Sequence, residues 1–321
     1  MHFRGVGVIP RVVGFLFLAC GIAAAQQMCS STFLVTAMNQ KTNQPLDGLS
    51  SSNFHAKVKG REAVIRAVAP APQHRRIVFV LDRSGSMTGA LNDPQIGRYD
   101  PNALEERTLE DALRGIPKDD AVAFLAFAGK FSSKTEFVTP DAARQRSLAM
   151  MRWKPTGAGQ KNRTALWDNL DSALRMLTPH APGDTIIVLS DGGENSSKLS
   201  KRKVRKELLS SGVEVLAMVI ANPIAATPEE RGGPIALFDL AKETGGVSRA
   251  TGYGMAGMGA VLLPVLPEEL VRLLSHQYEV SVAAPCAEKP ESLRMEVGPL
   301  GAGVRARLFY PQSLVLRAAA P

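Results

Sequence analysis

The residues with the clearest chemical potential lie in the segment DRSGS at positions 82–86. A carboxylate, Asp82, and two hydroxyls, Ser84 and Ser86, stand there at alternate positions. Hard oxygen donors of this kind suit Mg²⁺ or, less tightly, Mn²⁺ and Ca²⁺. Gly85 allows the chain to turn tightly between them. Because the segment directly follows the apolar run 77–81, the sequence predicts a metal-binding loop at the end of a buried strand.

Two more oxygen donors stand at related places further along the chain. Thr164 directly precedes a predicted helix, and Asp191 follows a second apolar run and is itself followed by Gly192 and Gly193. In an open α/β sheet, ligands bind beyond the carboxyl ends of the strands. The candidate metal ligands expected at this edge are Asp82, Ser84, Ser86, Thr164 and Asp191.

The segments that would position these residues alternate between strand-like and helix-like patterns. Continuous apolar runs predict strands buried on both faces, as in a parallel sheet covered by helices, at 77–81, 121–128, 186–189 and 213–221. Helical spacing predicts the covering helices at 104–113, 142–151, 165–177, 200–209 and 235–244. The alternation predicts an α/β fold over 74–277, with a doubly wound, mostly parallel sheet and helices on both faces. The stretch 222–234 is predicted to be a surface loop.

The two ends of the chain have a different pattern. Apolar and polar residues alternate over 54–58, 278–282 and 304–308, which predicts antiparallel strands with one face in water. The flanks, 26–73 and 278–321, are each marginal as an independent fold. We therefore expect them to pack together as one small antiparallel β-module, into which the α/β domain is inserted.

This arrangement has a consequence for the cysteines. Packing the flanks together would bring Cys29 and Cys286 near each other. A disulfide between them is a hypothesis at this point, because connectivity cannot be read from spacing alone.

The first 25 residues are typical of a secretory signal. A basic start precedes the apolar segment 12–25, which is too short to span a membrane, and the alanines at 23–25 supply a cleavage pattern. This predicts an exported protein that is periplasmic, secreted or associated with the cell envelope, without a transmembrane helix after cleavage. An uncleaved anchor or a buried helix is the alternative. The sequence around Cys20 only faintly resembles a bacterial lipoprotein box, so lipid anchoring there is a minor alternative.

The composition is that of a globular protein and excludes several other classes. Of the 321 residues 45% are apolar and 21% charged, which argues against a disordered chain, a collagen and a coiled coil. The formal net charge of +8 is only a mild indication of acidic partners. The basic segment 198–206 resembles a nucleic-acid patch, but in an exported protein it predicts a solvated helix face. No nucleic acid is expected as a partner, although this face would help to steer an acidic one toward the metal.

The complete set of donors resembles the metal-ion-dependent adhesion site of von Willebrand factor A (vWA) domains. That site has a strand ending in Asp-x-Ser-x-Ser, a Thr before a helix and a strand ending in Ser-Asp-Gly, in this order. The resemblance implies that Ser84, Ser86 and Thr164 ligate Mg²⁺ through neutral hydroxyls, while Asp82 and Asp191 often act through water. Neutral ligands leave one coordination position open, which the Asp or Glu carboxylate of a partner protein would fill. A degenerate vWA domain that binds no metal is the alternative.

The flanks extend this resemblance to the vWA-related proteins that are common in Acidobacteria. In the N-terminal flank, 46–49 and 53–60 follow the outline of that family. In the C-terminal flank, Gln277, Tyr278 and the segment 305–310 match its closing strands. The function of that family is poorly defined, so this resemblance adds expectations about architecture alone.

Three functions are compatible with these patterns. The first is an exported, metal-dependent module for protein binding, and the second is a structural component of the cell envelope whose metal is only structural. The third, a hydrolase, has little support: there is no Gly-x-Ser-x-Gly sequence, and the five histidines are scattered. The chain is therefore predicted not to be an enzyme.

Overall fold

The computed structural model describes residues 27–93, 97–154, 163–220, 228–251, 267–298, 300–301 and 303–316. The predicted signal segment, with Cys20, lies outside these ranges, and its cleavage stays a prediction. Within the described ranges no helix is long and apolar enough to cross a membrane.

Strands and helices alternate along the middle of the chain, and strands predominate at both ends. The strands are β1 (Met28–Asn39), β2 (Phe54–Val58), β3 (Arg61–Pro70), β4 (Arg76–Asp82), β5 (Leu91–Asp93), β6 (Gly97–Tyr99), β7 (Ala121–Ala128), β8 (Phe131–Lys134), β9 (Thr185–Ser190), β10 (Glu214–Ile220), β11 (Ser248–Thr251), β12 (Gln277–Pro285), β13 (Glu291–Val297), β14 (Ala306–Phe309) and β15 (Ser313–Leu314). The helices are α1 (Gly85–Thr88), α2 (Pro101–Gly115), α3 (Pro140–Arg152), α4 (Leu166–Met176), α5 (Lys201–Ser211), α6 (Pro228–Thr244) and α7 (Pro267–Arg272).

The central sheet has the strand order β11-β10-β9-β4-β7-β8. Its neighbouring strands run parallel, except that β8 is antiparallel to β7. Phe79 and Leu81 of β4 share a core with α2, α3 and α7 on one face, while Val78 and Val80 share a core with α4, α5 and α6 on the other. The predicted α/β fold, a doubly wound and mostly parallel sheet between two helical layers, is confirmed.

The ends of the covering helices follow from local sequence. The side chains of Asp100, Thr139 and Ser200 accept hydrogen bonds from backbone N–H groups in the first turns of α2, α3 and α5. Such caps satisfy donors that have no partner inside the helix. Helix α6 ends just before Gly245, which has a φ of 89° that favours glycine. These boundaries fix where the loops at the sheet edge begin.

Strands from both flanks form a second, antiparallel sheet of order β14-β1-β12-β3-β2-β13-β15. Strand β1 pairs with β12 from Met28 opposite Pro285 to Thr36 opposite Gln277, so the two ends of the chain lie side by side. Cys29 and Cys286 form a disulfide, with their Cα atoms 4.8 Å apart. The predicted β-module built from both flanks is confirmed, and the α/β domain is inserted between its strands.

Two local predictions are wrong. The surface loop predicted over 222–234 fails from Pro228 onward, because α6 already begins there; residues 221–227 lie outside the described ranges. Proline is tolerated at the first helical position, where Pro228 stands, and the helix also continues through Pro234. Gly233 lies against the backbone of Gly192 instead of facing water. The strand predicted over 304–308 is present from Ala306 onward as β14, antiparallel to β1, but the predicted water-facing side is absent there because every side chain of β14 is half-buried.

The two sheets meet where β10 and β12 begin. The Gln277 side-chain amide donates hydrogen bonds to both carboxylate oxygens of Glu214 at 2.9 Å, and to the Thr36 hydroxyl at 3.2 Å. All three side chains are buried. Burial raises the pKa of Glu214 to about 7, against the opposing effects of Gln277 and Arg75. The joint between the α/β domain and the β-module therefore contains a carboxyl group that is costly to ionise.

Candidate metal centre

Asp82 lies at the end of β4 and is fully buried. One carboxylate oxygen accepts a hydrogen bond from the Ser84 backbone N–H at 3.0 Å, and the other accepts from the Ser190 hydroxyl at 2.6 Å. The hydroxyl oxygens of Ser84 and Ser86 are 3.2 Å apart. Ser84 directly precedes α1 but makes no side-chain cap hydrogen bond. Its hydroxyl is therefore not used as a helix cap and stays a candidate ligand.

Asp191 follows β9, which is the neighbour of β4 in the sheet. Ser190 connects the two loops, because its hydroxyl donates to Asp82 and accepts from the Gly192 N–H at 2.9 Å. Asp191 in turn accepts from the Gly193 N–H at 2.9 Å and is buried. Burial raises the pKa of Asp82 to about 7, and the charge of Asp191 adds to the effect. A divalent cation would stabilise two carboxylates that repel each other in this way.

Thr164 is held against the loop that follows β9. Its backbone N–H donates to the Asn195 side chain at 2.9 Å, and its carbonyl accepts from the N–H groups of Asn195 and Ser196 at 3.0 and 3.1 Å. The same loop is tied to the start of α4, where Glu194 accepts from the Trp167 N–H at 3.2 Å. All five predicted donors therefore lie at the carboxyl edge of the parallel sheet.

The chemistry of these donors fits a hard divalent cation. The five side chains offer three hydroxyls and two carboxylates, with neither sulfur nor imidazole. In the described part of the chain, no group of three His, Cys, Asp or Glu side chains could hold a metal ion.

A second buried pair adjoins this site and has no clear signal in the sequence. The Arg83 guanidinium contacts the Glu105 carboxylate at 2.8 Å and donates to the Asn102 side chain at 2.6 Å. The side chains of Arg83 and Glu105 are only 5% and 0% exposed. Burial raises the pKa of Glu105 well above its ordinary value, Arg83 opposes this, and Asp82 adds to it. A buried arginine in the segment 82–86 needs an acidic partner, but no local spacing in the sequence identifies Glu105 on α2 as that partner.

Tyr99 is a further residue of the site that has no such signal. It is buried at the end of β6. Burial raises the pKa of its hydroxyl, and the negative charge of Asp191 raises it further. Tyr99 therefore brings no negative charge near Asp191.

The basic segment 198–206 forms most of α5. Lys201, Arg202, Lys203, Arg205 and Lys206 are exposed, while Val204 faces the core. Arg205 pairs with Glu243 of α6. The predicted solvated helix face is confirmed.

No protein-family model matches this chain, and no curated protein matches it either. Among solved structures it is similar to an aerotolerance-related membrane protein from Bacteroides fragilis, at 21% identity over 56% of this chain and 92% of that one, with a TM-score of 0.41. It is also similar to the conserved hypothetical protein BatB from Bacteroides thetaiotaomicron, at 18% identity over 63% of this chain and 98% of that one, with a TM-score of 0.43. A von Willebrand factor type A protein from Catenulispora acidiphila shares 12% identity over 91% of this chain and 75% of that one, with a TM-score of 0.45.

Proposed function

We propose that this protein is an exported binding module with a vWA-type metal site, which captures the Asp or Glu carboxylate of a partner protein in a Mg²⁺-dependent way. The observation that supports the proposal is the placement of Asp82, Ser84 and Ser86 after β4, of Asp191 after the neighbouring β9, and of Thr164 against the loop that follows β9. When bound, Mg²⁺ would supply an open coordination position for a carboxylate oxygen, and Mn²⁺ or Ca²⁺ could serve in its place.

The chain's own residues would divide the work of holding the cation. Ser84, Ser86 and Thr164 would ligate directly, and their neutral hydroxyls would leave most of the cation's charge for the partner. Both carboxylate oxygens of Asp82 already accept hydrogen bonds from the protein, which favours action through water for this group. Asp191 is oriented in a similar way by the Gly193 N–H.

Binding is favoured over catalysis by the surroundings of the serines. The hydroxyl of Ser84 lies beside that of Ser86, without a histidine in hydrogen-bonding contact among the described residues. An activated serine nucleophile needs a general base within hydrogen-bonding reach. We therefore propose no enzymatic role, and a hydrolase screen with Ser84→Ala as control would test this.

Export is supported by the disulfide between Cys29 and Cys286. Disulfides persist in oxidising compartments such as the periplasm or the extracellular space. The predicted signal segment agrees with this location, and we propose that the protein works in the periplasm, in the cell envelope or outside the cell.

One observation favours a second candidate, a component of envelope assembly whose metal is only structural. Asp82, Ser84, Thr164 and Asp191 are all at most 5% exposed. Of the five donors, Ser86 is the one that is partly exposed. A metal enclosed in this way would stabilise the loops without meeting a partner.

The deciding experiment measures metal binding and partner capture together. Calorimetry should show one Mg²⁺ bound per chain, and no binding by the Asp82→Ala variant. Crosslinking pulldown from envelope extracts should recover a partner that is lost with EDTA, regained with Mg²⁺ and displaced by excess acetate. Capture that is unchanged by EDTA would support the structural candidate, and a chain that binds no Mg²⁺ would contradict both.

A further inference from the structure

Arg83 and Glu105 form a buried ion pair that neither the proposed metal ligands nor the fold requires in an obvious way. Arg83 stands between two of the proposed metal-site residues, Asp82 and Ser84, and its guanidinium is buried. Glu105 reaches it from α2, with 2.8 Å between the charged atoms. The pair thus places a positive charge within the proposed metal loop and a negative charge beside it on α2.

Neither partner of the pair is fully satisfied. Among the described residues, one carboxylate oxygen of Glu105 and the Nε atom of Arg83 are buried without a hydrogen-bond partner. A pair kept only for stability would be expected to have these atoms satisfied, because a buried polar group without a partner lowers stability. The contribution of the pair is therefore better sought in its charges.

The charges around the site can be counted from its buried groups. Asp82, Asp191 and Glu105 are acidic and Arg83 is basic, all four of them buried. A bound cation favours the ionised form of the carboxylates around it. In that state the four groups carry two negative charges in excess, which one divalent cation neutralises. Without Glu105, half of this excess would be lost, and Arg83 would repel the cation.

We infer that Glu105 is a positioning residue of the metal centre, which offsets the charge of Arg83 and thereby sets the affinity of the site for a divalent cation. This inference rests on the proposed function. It assigns to α2 a part in metal binding, although α2 supplies no ligand.

An electrostatic role of Glu105 and a purely structural role predict opposite Mg²⁺ affinities for a pair of variants. Glu105→Gln keeps the shape of the side chain but leaves Arg83 unopposed, and it should weaken Mg²⁺ binding by about ten-fold or more. Adding Arg83→Met removes further contacts, yet it restores the excess of two negative charges. The double variant should therefore bind Mg²⁺ within about three-fold of the wild type. Glu110→Gln, at an exposed position of the same helix, is the matched control.

The experiment titrates Mg²⁺ into the full chain by calorimetry, with thermal unfolding in EDTA as the check on folding. Weak binding by Glu105→Gln that is restored in the double variant supports the inference. Unchanged binding by Glu105→Gln overturns it, as does a double variant that binds no better than the single one. If Glu105→Gln does not fold, near-wild-type binding by the double variant supports the inference, and a loss beyond about ten-fold overturns it. A wild type that binds no Mg²⁺ refutes the proposed function as well, so the two failures are distinguishable.

Discussion

Ser84, Ser86 and Thr164 show why residue type matters at this site. Their hydroxyls are neutral, so a cation held by them would keep much of its charge for a ligand from outside. Asp82 and Asp191 contribute charge, but the protein has already oriented them through Ser190 and Gly193. In the proposed site, the polar groups would therefore divide into ligands that leave charge available and carboxylates that balance it.

The ligand hydroxyls give the first prediction. The double variant Ser84→Ala with Thr164→Ala removes two of the three proposed neutral ligands and should abolish Mg²⁺-dependent partner binding. The fold should stay intact, because no core side chain is lost. Pulldown of the partner with and without Mg²⁺ measures the first effect, and circular dichroism measures the second. Ser132→Ala, an exposed serine of β8, is the control; partner binding that survives both the double variant and EDTA contradicts the metal bridge.

At the scale of elements, the site depends on how the loop after β9 meets the start of α6. A Cβ atom at Gly233 would come within 2.3 Å of the Gly192 carbonyl carbon, and a Cβ at Gly192 would meet Gly233 equally closely. Gly192 also has a φ of 82°, a conformation that side chains rarely adopt. This contact holds α6 against the loop that carries Asp191. Its closeness explains why glycine stands at both positions.

The glycine contact gives the second prediction. Gly233→Ala should lower the free energy of unfolding by about 2–3 kcal/mol, because the backbone of the Asp191 loop must move to admit a methyl group. Mg²⁺ affinity should fall with it. Gly232→Ala is the matched control, since a Cβ there meets nothing within 4 Å. It should be neutral or stabilise by up to about 1 kcal/mol. Urea unfolding compares the two, and equal effects would show that the close approach is unimportant.

At the scale of the whole molecule, the α/β domain is carried by a β-module built from both chain ends. The module has its own apolar core, which contains Phe33, Phe54, Tyr278 and Val280. The Tyr278 hydroxyl also donates a hydrogen bond to the Leu46 carbonyl at 2.6 Å. Glu214 and Gln277 join this module to the central sheet at a buried site. Stability should therefore depend on the joint and on the covalent link between the flanks.

The buried carboxyl group at the joint predicts that the free energy of unfolding depends on pH. The pKa of Glu214 is about 7 in the folded protein, above the unfolded value near 4.3. Its neutral form thus favours the folded state at low pH, and this stability is lost as pH rises through about 7. Glu214→Gln removes the ionisation, and its stability relative to the wild type should increase by about 3 kcal/mol between about pH 4 and pH 8. Urea unfolding across this pH range measures how the free energy of unfolding of each protein changes with pH. Glu110→Gln should change nothing, and parallel curves for Glu214→Gln and the wild type would refute the prediction.

The disulfide gives a further prediction. Cys29 and Cys286 are separated by 257 residues, so the bond restricts a very large loop of the unfolded chain. Replacing both cysteines by serine should lower the free energy of unfolding by about 3–5 kcal/mol. Urea unfolding of the double variant, compared with the wild type under non-reducing conditions, measures this. A similar loss on reduction of the wild type is the control, and a loss below about 1 kcal/mol would show that the β-module holds the flanks together without the bond.

The sequence by itself determined the α/β fold, the main strands and helices of its core, the β-module of the two flanks and the edge at which the donors meet. These features follow from local patterns: continuous apolar runs mark buried strands, and polar residues directly after them mark the carboxyl edge. Three features depended on the tertiary structure. Strand β3 lacks a buried face that a pattern could show, and the Arg83–Glu105 pair and the Gly192–Gly233 contact join residues far apart in the chain. Local patterns report which residues are buried, whereas only packing decides which distant residues become neighbours.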